Sequence, residues 1–351
     1  MRGPRVVLAR SEVSIVRCRQ RRRRYPLLRI LRGMFCAVLL LVAFSPAWST
    51  PQSAATPVVR TVQERLGYPA TARLLVIHAD DLGMAHSVNR AIFEAFENHW
   101  ITSASVLVPC PWLPEVVSWA KAHPDADLGI HLALNSEWTT FRWRPISAAE
   151  KVPSLLDADG YFPLEETDVA ARAKIPEVEM ELTAQIERAR AAGMRITHLD
   201  SHMSALMGTA GLAEEYQRLG REQRLPILWH SPAAEKLPAE AQPRADFILN
   251  DDDLEIRPGV APKDWLEVYK AMLAPLKPGV HHLVVHLAHD DEEMRGATAD
   301  HPDWGAAWRQ SDFDMVRSAE FRQFLRGQGF VLVSWKDLAR ALPSDYRLSA
   351  D

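Results

Sequence analysis

Two adjacent aspartates, Asp80 and Asp81, close an apolar run that also contains His78 (LLVIHADDLGM). Neighbouring carboxylates repel each other and are costly to remove from water. A strand end has no structural need for such a pair, although two aspartates before a glycine also occur in ordinary turns. The pair therefore indicates a site for positive charge, and a metal cation is the first candidate.

Histidine and aspartate recur at the ends of later apolar segments. A lone histidine in a strand is more often a core residue than a metal ligand, but several separate segments carry one here. One aspartate with two histidines from separate strands is a donor set of catalytic metal sites, and it suits zinc or non-haem iron. The residues are His131 in GIHLAL, His198, Asp200 and His202 in THLDSH, and His286 and His289 in VVHLAH.

The secondary-structure pattern around these residues predicts a series of βα units. Clear strand patterns cover 73–79, 103–109, 128–134, 196–201, 281–288 and 329–335, and weaker ones cover 226–231 and 245–249. Apolar strands alternating with helical patterns predict an α/β fold, a single-domain (β/α) barrel of the TIM type. In such a barrel the carboxyl ends of all strands open onto one face, where the polar residues would meet.

A doubly wound open sheet is the alternative architecture. No glycine-rich phosphate loop follows the first strand, which argues against the nucleotide-binding version of that fold. The segment 135–176 is polar, rich in Trp, Arg and Pro, and without periodicity. A long insertion after a strand is often functional, so it is predicted to be a lid loop.

The N-terminus has the order of a secretory signal. A basic stretch at 17–32 precedes the apolar run 33–49, which is short for a membrane span. Residues 1–49 are therefore predicted to be a signal peptide of an exported, periplasmic or secreted protein, with an uncleaved anchor as the alternative. A short linker, 50–71, would follow, and no stable membrane span would remain after cleavage.

The charge balance changes when that segment is removed. The chain of 351 residues has 41 basic and 45 acidic residues; residues 1–49 hold eleven of the basic and one of the acidic ones, which leaves 30 against 44. A body this acidic is a poor nucleic-acid binder, because phosphate contacts need clustered Lys and Arg. The partner is expected to be neutral or cationic.

Cysteine usage excludes other site types. Cys18 and Cys36 lie in the predicted signal, which leaves Cys110 alone in the mature chain. One cysteine forms no intramolecular disulfide and no cysteine-based zinc site. Cys110 follows an apolar strand pattern and is expected to be a buried structural thiol.

Four ordered motifs, HADDLGMAHSVNRAI, GIHLAL, THLDSHM and LVVHLAHDDEEM, together resemble the YdjC/ChbG family of carbohydrate deacetylases. A later stretch with DW, RQSDFDMV and GFVLVSWKDL resembles the C-terminal end of that family. The likeness implies a distorted (β/α) barrel over 72–345. It also implies removal of N-acetyl groups from acetylated amino sugars, chitooligosaccharide-like or of the cell wall, with a divalent metal such as Mg²⁺ or Zn²⁺.

Carried over motif by motif, the resemblance implies that Asp81, His131 and His202 bind the metal. It implies that Asp80 is the general base toward water and that His286 is the general acid. Two departures from the family pattern stand out: HLDSHMS lacks further histidines beside His202, and His286 precedes leucine instead of proline. His289 is a possible substitute for His286.

Other polar and aromatic residues near these motifs are candidates for supporting roles. His78, His198 and Asp200 would orient metal ligands, with a purely structural role as the alternative for His198. Trp138 and Trp143, and also Trp304 and Trp308, would stack on sugar rings or only pack the lid. Two further functions remain open, another metal-dependent amide or ester hydrolase and a non-catalytic glycan-binding barrel; the intact Asp80–Asp81 pair argues against the second.

Overall fold

The computed structural model describes residues 60–244, 247–343 and 346. The predicted signal with Cys18 and Cys36, and the first part of the predicted linker, lie outside these residues. Among the described helices, none has the length and apolar character that crossing a membrane requires. Cys110 is a buried free thiol, as expected.

Strands and helices alternate along the described chain. The strands are β1 Arg73–Leu82, β2 Ser103–Val106, β3 Leu128–Leu132, β4 Leu199–Ser201, β5 Asp252–Leu254, β6 Gly279–Val285 and β7 Phe330–Leu332. The helices are α1 Val62–Arg65, α2 His86–Glu97, α3 Leu113–Ala122, α4 Glu166–Arg172, α5 Ile175–Ala191, α6 Ala210–Gln223, α7 Ser231–Ala234, α8 Trp265–Leu273, α9 Glu292–Ala297, α10 Ala306–Val316, α11 Ala319–Gly327 and α12 Trp335–Leu338. Short 3-10 helices lie at Ala149–Lys151, Pro153–Leu155, His202–Met207, Ala239–Ala241, Pro262–Asp264, Pro302–Trp304 and Ala339–Ala341.

All strand pairs are parallel, in the order β4-β3-β2-β1-β6-β5. Strand β1 is central and has three partners. Its first half pairs with β6 and, from Arg73 to Leu75, with β7. Its second half, from His78, pairs with β2. The helices cover the sheet with buried apolar side chains, such as Val88 and Ile92 of α2.

The sheet is strongly curled. In a flat sheet β1 and β4 would be about 14 Å apart, since three strand spacings of ~4.8 Å separate them. The ring centroid of His78 on β1 nevertheless lies only 5.0 Å from that of His198, just before β4. It also lies 5.0 Å from that of His282 on the neighbouring strand β6. The predicted distorted (β/α) barrel is therefore confirmed, and the doubly wound open sheet is not the architecture.

Two of the predicted strands differ from the structure. The segment 226–231 contributes only one bridge, between Leu199 and Ile227. The described residues of 245–249 form no strand, and β5 lies at Asp252–Leu254 instead. Strand β5 has acidic residues that are typical of a turn. In the sheet, Asp252 pairs with His281 of β6, and Asp253 pairs with His282.

The end of the predicted linker 50–71 is part of the folded body. It contains α1, whose first turn is closed by a capping box between Thr61 and Glu64. Val62 and Leu66 pack on a second apolar cluster that includes Leu342. The boundary missed this helix because its four residues are too few to show a periodic pattern.

A layer of buried rings fills the barrel beneath the strand ends. His198 stacks on Trp335 with centroids 5.4 Å apart and meets the edge of His78. A Cβ atom at Gly129 would lie 2.3 Å from His198 Nε2, so the layer requires glycine there. His198 Nδ1 lies 3.3 Å from Asp127 Oδ1, and burial lowers the pKa of His198 to about 4. The ring of His198 therefore packs among side chains that are themselves buried.

Candidate metal centre and active site

Asp81, His131 and His202 converge at the carboxyl ends of β1, β3 and β4. One donor atom from each lies within 4.8 Å of the others, and all three residues are buried. Asp81 Oδ1 is 3.5 Å from His131 Nε2 and 3.5 Å from His202 Nδ1. The two imidazole nitrogens are 3.1 Å apart. Asp81 Oδ1 has no hydrogen-bond partner among the described residues although it is buried. Two nitrogens and an orphaned carboxylate oxygen facing one another are a donor set that fits a divalent cation.

A bulge at the end of β1 lets both aspartates face this site. Consecutive side chains of a regular strand point to opposite faces, but the register of β1 against β2 shifts between Ala79 and Leu82. Asp81 adopts a left-handed backbone conformation with φ of 66°. Gly83, with φ of 97°, then turns the chain into α2. The aspartate pair thus reaches the site through the bulge as well as the glycine turn.

Asp200 contacts the ring nitrogen of His131 that faces away from the donor group. Its Oδ2 atom lies 2.6 Å from His131 Nδ1 and accepts a hydrogen bond of 3.0 Å from Ser105 Oγ, while its Oδ1 accepts from Ser201 N. Burial opposes the charge, but the charges of His131 and His78 and their hydrogen bonds to the carboxylate hold the pKa of Asp200 well below its usual range. His131 therefore turns Nε2 toward the metal-binding donors, as metal-ligating histidines typically do.

Asp80 lies beside the three donors and outside their group. Its Oδ1 is 3.2 Å from His78 Nε2, and its Oδ2 is 3.8 Å from His131 Nε2. Burial, with repulsion from Asp200 and Asp81, raises the pKa of Asp80 well above its usual value. A carboxylate with a raised pKa binds a proton more readily, which is what a general base near neutral pH requires. His78, Asp80 and Asp200 form a second compact group that could hold a cation. Both carboxylate oxygens of Asp200 already contact Ser105, Ser201 and His131, so this group is the weaker candidate for a metal site.

His286 faces the same space from the end of β6. Its Nε2 is 3.9 Å from Asp80 Oδ2, and its Nδ1 is 3.7 Å from Glu255 Oε1. Burial and the nearby cation of Arg309 lower the pKa of His286 to about 3, whereas burial raises the pKa of Glu255 to about 7. A pKa this low leaves the imidazole of His286 neutral near pH 7.

Arg309 of α10 neutralises the aspartate of the donor group. The residue is 3% exposed, and its Nη1 donates to Asp81 Oδ2 at 2.8 Å. Burial alone would raise the pKa of Asp81, but Arg309 and His202 hold it well below the usual value. Because Arg309 takes Oδ2, only Oδ1 of Asp81 is directed at His131 and His202.

Comparison with known proteins identifies the family. The sequence model of the YdjC-like protein family matches residues 74–327. The chain is 34% identical over 285 residues to a carbohydrate deacetylase of Thermus thermophilus, which covers 80% of this chain and 98% of that protein. The chain belongs to the YdjC-like family.

One further relative and one solved structure are similar to this chain. A carbohydrate deacetylase of Thermoanaerobacter pseudethanolicus is 25% identical over 269 residues, covering 76% of this YdjC-like chain and 99% of the relative. A crystal structure from Enterococcus faecalis V583, described as a candidate cellobiose-phosphate cleavage protein, superposes with a TM-score of 0.64 at 24% identity. It covers 76% of this chain and 99% of the other, and it has the same fold.

Not every predicted residue of this YdjC-like protein reaches the site. His289 Nε2 lies 3.8 Å from Glu94 Oε2 on α2, and its ring packs against Phe313 at 4.8 Å. Its backbone N–H donates to Ser87 O, which turns the chain away from the strand ends. The structure therefore gives no support to His289 as a substitute for His286.

Trp138 and Trp143, two of the four tryptophans predicted to stack on sugar rings or pack the lid, are buried. Trp138 is 1% exposed, with its ring 5.6 Å from that of His301. Trp143 is 3% exposed, donates from Nε1 to Asn135 O, and has its ring 5.8 Å from that of His202. Neither ring has a free face for a sugar, so both pack the lid against the site.

Sequence reasoning missed the partners that come from outside the strands. Glu137, on the predicted lid, places Oε2 2.9 Å from His202 Nε2. Burial opposes protonation of His202, but Glu137 and Asp81 raise its pKa to about 10. Arg309 and Asp312 lie on α10, and Asp312 Oδ2 accepts from the backbone N–H of His286. The RQSDFDMV stretch noted in the sequence was the available signal for both.

Proposed function

We infer that the protein is a carbohydrate deacetylase, a hydrolase that cleaves the amide bond of an acetylated amino sugar with a divalent metal ion. One observation carries this inference: a buried set of Asp81, His131 and His202 stands beside a separate buried carboxylate, Asp80. A site that only binds a cation has no use for that second carboxylate. The named activity of the two relatives supports the same reaction class.

The residues divide the work of amide hydrolysis. Asp81, His131 and His202 would hold the ion, which when bound supplies a Lewis acid that polarises a carbonyl and lowers the pKa of water from about 16 toward ~7. Asp80 would take the proton from the attacking water. His286, whose Nε2 lies 3.9 Å from Asp80 Oδ2, would receive that proton from Asp80 and pass it to the departing amine. The amine product is a cation, which suits the acidic body of the chain.

The test is acetate release by residues 50–351 from N-acetylglucosamine, chitooligosaccharides and peptidoglycan fragments. Each substrate is assayed with Zn²⁺, with Mg²⁺ and with a chelator. We expect acetate from at least one substrate, loss of the activity with the chelator, and its return on adding metal. A protein that binds metal yet releases no acetate from any of them would contradict the deacetylase assignment.

We propose in addition that residues 1–49 direct export. The support is the basic run at 17–32 followed by the apolar run 33–49. Expression of the full chain in a bacterial host is expected to give a mature protein in the periplasm or medium. N-terminal sequencing of that protein is expected to begin close to residue 50. An intact N-terminus in the membrane fraction would indicate an anchor instead.

A further inference from the structure

The two ring nitrogens of His202 face different partners. Nδ1 faces the donor group, 3.5 Å from Asp81 Oδ1 and 3.1 Å from His131 Nε2. Nε2 lies 2.9 Å from Glu137 Oε2 on the opposite side of the ring. A carboxylate accepts hydrogen bonds when ionised, so Glu137 places the ring proton on Nε2. Once a divalent ion takes the place of a proton on Nδ1, that nitrogen offers its lone pair beside the other two donors.

The backbone on both sides of Glu137 is held in place. Ser136 is fully buried; its N–H donates to Pro163 O at 2.8 Å, and its Oγ accepts from Trp143 N at 3.1 Å. On the other side, Thr139 N donates to Asp300 Oδ2 at 2.6 Å. The Glu137 carboxylate is 15% exposed and close to the barrel mouth. This segment therefore presents the carboxylate in a fixed position.

The two histidines of the donor group are supported by different parts of the chain. His131 is oriented by Asp200, which belongs to β4 of the sheet. His202 is oriented by Glu137, which belongs to the long segment 135–176 between β3 and α5. One ligand thus depends on the barrel and the other on the insertion.

We propose that Glu137 is a positioning residue that fixes the tautomer and orientation of His202 for metal binding, which makes the inserted segment part of the metal site. The proposal rests on the proposed function in one respect, that the protein binds a divalent ion at Asp81, His131 and His202. Glu137 itself touches no reacting atom in this account. Its effect reaches the ion through His202.

The experiment compares E137A and E137Q with E150Q and E150A, since Glu150 is an exposed glutamate of the same insertion. The Zn²⁺ dissociation constant is measured by competition with a chromophoric chelator, and Co²⁺ loading is followed by visible absorption. We expect E137A to weaken Zn²⁺ binding by about 10–100-fold, the usual effect of losing such a partner. E137Q should lose less, because its amide oxygen still accepts from Nε2. The Co²⁺ spectrum should change in E137A and stay unchanged in both Glu150 variants.

Thermal unfolding of the metal-free variants separates positioning from stability. A lower melting temperature with an unaltered Zn²⁺ dissociation constant and Co²⁺ spectrum would overturn the proposal. If E137A does not fold, E137M, which fills the space but has no acceptor for Nε2, carries the test, and wild-type affinity with a wild-type spectrum in E137M would overturn it too. A wild-type protein that binds Zn²⁺ but releases no acetate would remove the deacetylase assignment and leave the role of Glu137 standing.

Discussion

Asp80→Asn is expected to lower kcat for acetate release by about 10²–10⁴-fold while the metal remains bound. Asparagine keeps the shape of the side chain, but it cannot accept the proton of the attacking water. Asp80 lies outside the group of Asp81, His131 and His202, so its replacement removes no donor. The measurement is kcat together with the metal content of the same sample. Because burial and two carboxylates raise the pKa of Asp80, the neutral variant is expected to be at least as stable as the wild type.

The matched control for this prediction is Asp81→Asn at the neighbouring position. It removes a negatively charged donor and leaves Arg309 without its partner, so metal content and activity should fall together. The contrast between the two variants assigns the roles. Substantial activity in Asp80→Asn would end its assignment as base, and loss of metal in Asp80→Asn would make Asp80 a ligand.

Arg309→Met is expected to reduce the free energy of unfolding of the metal-free protein by about 3–5 kcal/mol at neutral pH. The Asp81 carboxylate is 2% exposed and would lose its guanidinium partner at 2.8 Å, so a buried charge would lose the cation that its Oδ2 atom contacts. A divalent ion restores the balance of charge. Added Zn²⁺ should therefore stabilise the variant more than the wild type. Chemical denaturation with chelator and with Zn²⁺ measures both differences.

Arg295→Met is the matched control for Arg309→Met. Arg295 pairs with Asp290 at 2.7 Å, but its side chain is 62% exposed, and an exposed pair contributes at most about 1 kcal/mol. Its loss should be small and insensitive to Zn²⁺. If Arg309→Met unfolds within about 1 kcal/mol of the wild type in chelator, Asp81 does not depend on this cation.

The barrel and the meeting of the polar residues were predictable because their signal lies in strand ends, whereas the choice of the three donors came from the resemblance to the family. Parallel strands of a barrel finish on one face, so Asp81, His131 and His202 had to meet once their segments were recognised as strands. Strand β5 was missed because Asp252 and Asp253 have the composition of a turn. Their stabilising partners, His281 and His282, lie on another strand, and this pairing exists only after the sheet forms.

The partners from outside the strands, Glu137 and Arg309, were not predicted, for a different reason. Glu137 and Arg309 approach the site from a loop and a helix, where no periodic pattern relates them to Asp81 or His202. His289 shows the converse error: it follows His286 by three residues, yet the chain turns between them and directs it at α2. Closeness in sequence predicts closeness in space within a strand, and it fails one turn beyond the strand end.

The three partners of β1 have a consequence for the order in which the protein is assembled during synthesis. The Asp80–Asp81 end of β1 pairs with β2, which leaves the ribosome soon after it. The Arg73–Leu75 end pairs with β6 and β7, which are made near the end of translation. One edge of the apolar strand β1 therefore stays unpaired until most of the chain has been synthesised. The Asp80–Asp81 end of the strand can be organised early, but the pairing of the strand is complete only when the last segments have been made.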